Sequence, residues 1–163
     1  STYFDPLLSC VVADAERSVL LRWLDKTVNS SIALRPDTDI SIIDQLQFGE
    51  TLDHGEVKIA ELTCNKAALC IDLAKIACFS KEDSDCHLLE PAIAFQVHGL
   101  AVKFYLTRLD HDGLYMMYEI GHLDFPSSLA QLPVFINLKN LNILLLVCHI
   151  FWKFCNFFFA TFN

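Results

Sequence analysis

Apolar positions along this chain fall into runs of two kinds. From Phe4 to Asn29, Leu8, Val12, Ala15, Val19 and Trp23 recur at helical spacing, which predicts one amphipathic helix over the stretch. Asp5 stands where it can cap that helix, and Pro6 fits the first position, where no amide donor is required. Glu16 borders the buried face. In "SSIALRPDTDISII" β-branched residues predict a strand, with Pro36 confined to its edge or to a bulge. "DQLQFGETLDHG" reads as a loop or distorted hairpin broken by Gly49 and Gly55, and "GEVKIAEL" as the next strand. Thr63 then caps a second helix, "CNKAALCIDLAKIACF", ending in the charged loop "SKEDSD".

Beyond Pro91 the period shortens. "AIAFQV", "LAVKFYLTRL" and "LYMMYEIGHL" alternate as strands do, separated by the turn sequences "HG" and "DHDG". Ser127 or Ser128 opens a long apolar helix over about 127–160. The order helix, two strands, helix, three strands, helix predicts a mixed α/β (α+β) domain with a central sheet flanked by helices. One domain over 1–163 is expected, its core at about 7–125.

The tail "LNILLLVCHIFWKFCNFFFAT" is long enough to cross a bilayer. Lys139, Asn142, His149, Lys153 and Asn156, however, share one narrow helical stripe. A polar line beside a broad apolar face suits docking on a sheet or on a partner. It suits lipid poorly, since a central Lys costs about 2.5 kcal/mol or more there. The expected occupant is therefore a protein partner or a second copy, not a membrane.

Composition narrows the picture further. A hydrophobic content of 53% excludes disorder. A net charge of −8 argues against coating nucleic acid through a basic surface, while leaving room for a divalent-cation enzyme, whose carboxylates become favourable once the ion is bound. The seven cysteines include no Cys-x-x-Cys, and most lie in apolar runs. They read as reduced core thiols of an intracellular (cytoplasmic or nuclear) protein. A zinc site from Cys78, Cys86 and His87 matches no common spacing. No basic leader or small-residue cleavage site precedes the first apolar run.

Candidate chemistry lies in "LRPDTDISIIDQLQFGETLDHGEVK". Residues two apart on a strand project to one side, so Glu56 and Lys58 share a face. Were Asp37 on the neighbouring strand, its carboxyl would converge with that of Glu56. Two carboxylates, a carbonyl and waters suit Mg²⁺, a hard cation. An adjacent ammonium can orient the attacking water and offset charge in the transition state. The bland alternative is a pair of solvated neighbours on an exposed strand.

Pro36-Asp37, followed nineteen residues later by Glu56-Val57-Lys58, resembles the signature of the PD-(D/E)XK nuclease superfamily. There a helix precedes the strand pair bearing these residues, and a further helix and strand follow. The order here is similar from about Leu7 to Phe104. The remainder is similar to mould proteins carrying an RPD…GEVK pattern. The resemblance implies a restriction-endonuclease-like fold and a Mg²⁺- or Mn²⁺-dependent nuclease hydrolysing phosphodiester bonds of DNA or RNA. It implies Asp37 and Glu56 as metal ligands, the Val57 carbonyl as a third, and Lys58 as the catalytic lysine. Glu16 would match a first-helix glutamate of some members, and Gln96 a polar residue that some place near the site. An inactive relative serving in binding or assembly is the alternative, with a tail-anchored protein behind it.

Other positions favour plain readings. Gln96 reads more simply as an ordinary strand residue facing water, and Lys66 and Lys75, which could meet a phosphate, as a solvated helix face. His98, His111 and His122 adjoin turns. Phe104, Tyr105, Tyr115 and Tyr118 suit core packing better than base stacking. Phosphate-cradling glycine loops and a Gly-x-Ser-x-Gly elbow are absent from the sequence.

Overall fold

A computed structural model describes residues 3–24, 35–45, 47–58, 66–87 and 91–161, with the side chains of 50, 86, 87 and 155–161 left aside. Helix α1 (Asp5–Val12) leads into β1 (Val19–Trp23), β2 (Thr38–Asp44) and β3 (Gln47–Lys58). Helix α2 (Lys66–His87) precedes β4 (Ala92–His98), β5 (Ala101–His111) and β6 (Leu114–Asp124). A 3₁₀ turn (Leu129–Gln131), the short α3 (Leu132–Phe135) and the long α4 (Leu138–Thr161) follow. The strands form one six-stranded sheet in sequence order. Neighbours run antiparallel except β3 and β4, which are parallel and joined through α2. This is a mixed sheet flanked by helices and ending in a long helix, as the pattern predicts.

Helices α1 and α4 share a core with one face of the sheet. Leu8, Val12, Ile40, Leu52, Phe95, Phe104, Val147 and Phe151 are buried there, and each contributes on the order of 2 kcal/mol by leaving water. Trp152 Nε1 donates to the Val11 carbonyl at 3.1 Å, tying α4 to α1. On the other face α2 lies across β3, β4 and β5. Side chains alternate along a strand, so Thr38, Gly55 and Phe95 meet on the α1/α4 side while Asp37, Glu56 and Gln96 face α2.

Several elements depart from the sequence expectation. The first helix stops at Val12, not near Asn29. Asp14 Oδ1 accepts the Glu16 amide at 2.9 Å, a local bond that competes with the helical ladder. Asp14 then bridges to Val19, and Ser18 at φ 57° turns the chain into β1. Leu8, Val12 and Val19 are buried as expected, but Val19 is buried from a strand, and Ala15 is exposed. Asp5 does not cap α1; its carboxylate accepts from Trp23 Nε1 at 2.5 Å. Residues 30–34 and Thr63, placed in a strand and at a cap by the sequence pattern, lie outside the described residues.

Gly49 and Gly55 do not break the chain; both sit inside β3, which pairs with β2 through two register shifts. "SKEDSD" is not a loop but the end of α2. Its Ser80, Asp83 and Ser84 are buried while Lys81, Glu82 and Asp85 are exposed, so the helical period continues in polar letters. The C-terminal helix is broken: Leu129–Phe135 and Leu138–Phe154 meet at 75°. Asn137 starts α4, its Oδ1 accepting the Asn140 amide at 3.0 Å, an N-cap that Ser127 and Ser128 do not supply.

Cys10, Cys70 and Cys78 are exposed and Cys148 half-buried, against the expected core thiols; the side chains of Cys86 and His87 lie outside the description. Tyr118 is exposed rather than packed, while Phe104 and Tyr105 are buried. Lys139, Asn142, His149 and Lys153 face outward as the stripe predicts. Among the described residues no single helix is long and apolar enough to cross a bilayer, whereas the bent pair reaches that length and composition.

Candidate functional site

The site begins with strand register. Thr38 pairs with Gly55, which sets Asp37, one residue before β2, opposite Glu56. The Asp37 amide donates to the Gly55 carbonyl at 3.1 Å, and its own carbonyl accepts from Leu24 at 2.9 Å. With its backbone held on both sides, Asp37 turns its carboxylate onto β3, where Oδ2 accepts the Val57 amide at 2.9 Å. Val57 thus meets Asp37 through its N–H.

Glu56 is 4% exposed, and no hydrogen-bond partner reaches its Oε1. Burial and the neighbouring Asp37 charge push its carboxyl up to about 7. Two carboxyls can hydrogen-bond only when one carries a proton, and the contact with Asp37 favours the protonated form of Glu56. The titration belongs to the pair. Such a pair, with a buried oxygen that no hydrogen-bond donor reaches, offers oxygen donors of the kind a divalent cation takes. Only two acids converge: among the described residues no group of three His, Cys, Asp or Glu side chains has metal-site geometry.

Lys58 lies two residues along β3, on the same face as Glu56. Its Nζ sits 2.6 Å from Asp72 Oδ2, on α2. Lys75, one turn further along α2, lies 3.6 Å from Asp72 Oδ1 and 4.0 Å from Glu56 Oε2. A third rung joins His54 Nε2 to Asp83 at 3.1 Å. Beside it, burial and the Asp83 charge drive the Asp53 carboxyl far above its ordinary range, against the pull of the Ile93 amide. Strand β3 and helix α2 therefore meet through a ladder of polar pairs.

The structure sets Asp37 beside Glu56, with Lys58 two residues along the same face of β3 and its ammonium held by Asp72. Gln96 pairs with Glu56 in parallel register and is 8% exposed, so it does not face water as the plain reading had it. Its Nε2 donates to the Leu69 carbonyl at 3.1 Å, fixing β4 to α2 under the acid pair. Glu16 is not brought in. The helix expected to carry it ends four residues earlier, and Glu16 is exposed in the turn before Val19. That turn is at the opposite end of β1 from Trp23, the residue that pairs beside Asp37.

Asp72 was missed as a site residue, and Lys75, weighed for a phosphate but read as a solvated helix face, is instead 28% exposed beside Glu56 and Asp72. The overlooked signal is charge order. Glu56-x-Lys58 on a strand is complemented by Asp72-x-x-Lys75 on a helix crossing it in the reverse sense, about 7 Å per strand pair against about 5 Å per three helical residues. Compared with protein-family models, with curated proteins and with solved structures, the chain gives no match.

Proposed function

We propose that this chain is a Mg²⁺- or Mn²⁺-dependent nuclease of the PD-(D/E)XK type, hydrolysing phosphodiester bonds in DNA or RNA. The observation that carries the reading is that strand register sets the Asp37 carboxylate, held by the Val57 amide, beside the buried Glu56 carboxyl, with Lys58 on the same face. The order α1, antiparallel β1–β2–β3, α2, parallel β4 supports it, since the superfamily places its signature on such a frame. A divalent ion held there would act as a Lewis acid and lower the pKa of its water. Asp37 and Glu56 would hold the ion, and the Val57 amide keeps the Asp37 carboxylate aimed. Asp72 fixes the Lys58 ammonium at the rim of the pair, where it can orient water and meet developing negative charge on phosphate.

Purified protein incubated with DNA or RNA and Mg²⁺ is expected to cleave one of them. Lys58→Ala and Asp37→Ala are each expected to lose about a hundredfold or more in rate, and EDTA to stop the reaction. Equal cleavage by all three proteins would show that the activity belongs to a contaminant.

A second reading, an assembly module without catalysis, draws on the C-terminal surface. Leu138, Leu141 and Leu145 are 79%, 42% and 66% exposed, at the alternating three- and four-residue spacing of a helix–helix seam. Leu129 and Val134 extend the patch at 87% and 76%. A seam on one helix is complementary to itself, so the occupant this reading commits to is a second copy. Light scattering at tens of micromolar is expected to give a dimer mass for wild type and a monomer for Leu141→Glu/Leu145→Glu. A monomeric wild type would remove this reading.

A further inference from the structure

Resting on the nuclease reading, we infer that Lys75 is the resident counter-ion of the acid pair, displaced by the divalent ion and then free to hold a phosphate of the nucleic-acid strand. Among the described residues, Lys58 and Lys75 are the ammonium groups paired with Asp72 and Glu56. Lys58 is committed to Asp72 at 2.6 Å, whereas Lys75 is shared, 3.6 Å from Asp72 and 4.0 Å from Glu56. Neither of its distances is that of a tight charge-assisted hydrogen bond. Its side chain is 28% exposed against 5% for Glu56, so the amine can leave toward solvent while the carboxylate cannot.

A 2+ ion seated on Asp37 and Glu56 neutralises the charge that keeps Lys75 near and repels its ammonium. Asp72, already paired with Lys58, gives Lys75 only half a partner. The displaced amine remains at the mouth of the site, where a phosphodiester oxygen is the missing anion. In a chain of net charge −8, a cation delivered only when the ion is present confines strand binding to the loaded site. Both sources of a phosphodiester, DNA and RNA, offer this oxygen.

The test measures two affinities that must move in opposite directions. Mn²⁺ is titrated calorimetrically into wild type, Lys75→Met and Lys75→Arg, and fluorescent DNA and RNA oligonucleotides are bound in Ca²⁺ and in EDTA. Lys75→Met is expected to bind Mn²⁺ at least threefold more tightly and the preferred oligonucleotide at least fivefold more weakly. Lys75→Arg is expected to keep oligonucleotide binding within twofold, and EDTA to abolish the difference between variants. Unchanged or weaker Mn²⁺ binding in Lys75→Met, or unchanged oligonucleotide binding, overturns the inference with the nuclease reading intact. A wild type that binds no Mn²⁺ defeats the nuclease reading itself, and the inference with it.

Discussion

Glu56→Gln is expected to make the metal-free protein more stable at pH 8, by about 3 kcal/mol, while removing its response to Mg²⁺. The sign follows from proton uptake. Burial and Asp37 raise the folded carboxyl from 4.5 to about 7, so between those values the folded chain holds a proton that the unfolded chain has released. Stability then falls as pH rises, because its slope follows the protons bound in the unfolded state minus those bound in the folded one. Every tenfold gain in proton affinity on folding corresponds to ~1.4 kcal/mol. The loss accumulates from about pH 4.5 to about 7 and is constant above.

Glutamine copies the protonated acid: its amide can donate to Asp37 and never ionises. The two proteins should therefore unfold alike in urea at pH 4, and their midpoints should separate with increasing pH. Wild type at pH 8 should recover the difference on adding Mg²⁺, through binding to the folded state alone; the variant should not. A variant that melts at or below wild type at pH 8 would show that the acids are not forced together, and the candidate ion site would lose its basis.

The legible part of this molecule is the part in which local pattern and tertiary environment agree. Strands β4, β5 and β6 are short apolar or β-rich runs that end in turns where Gly99 and Gly113 take φ of 61° and 77°, so their hairpins are plain in the letters. That Asp37 and Glu56 lie on neighbouring strands is legible too, but their register is not, since β2 and β3 pair through two shifts that the letters do not signal. Helix α1 misleads because Val19 and Trp23 continue a three-to-four spacing by coincidence, while the deciding bond, from the Glu16 amide to Asp14, is a side-chain effect with no periodic signature.

Helix α2 hides its site residues for another reason. A helix normally declares its inner face in apolar residues, but this one turns Asp72, Ser80, Asp83 and Ser84 inward. Asp72 and Asp83 meet Lys58 and His54 on β3, and Ser84 donates to the Ser80 carbonyl within the helix. A hydrophobic pattern cannot orient such a face; only charge order across two distant segments can. The same buried polarity that obscures the site is what the proposed chemistry requires, for a wholly apolar neighbour would leave Lys58 without Asp72 and the acid pair without Lys75.

The second large effect is expected at Gly55. A methyl group added there would lie 2.3 Å from the Phe95 ring and 2.4 Å from Thr38 Oγ1, closer than real atoms approach. Phe95 is 2% exposed at the centre of the α1/α4 core, so its ring cannot step aside without moving Leu8 or Phe104. Thr38 cannot yield either, because it is fully buried and begins the strand that positions Asp37. Overpacking of this kind costs about 3 kcal/mol, and Gly55→Ala should lower the urea midpoint accordingly. The strain falls on the backbone between Asp37 and Glu56, whose carbonyl at Gly55 receives the Asp37 amide. Mg²⁺ affinity, measured under conditions where the variant is folded, should therefore fall as well, although no carboxylate has been altered. A variant with native stability would mean that β2 and β4 do not close over position 55; one that is destabilised yet binds Mg²⁺ as tightly as wild type would mean that the ion does not depend on the Asp37–Glu56 register.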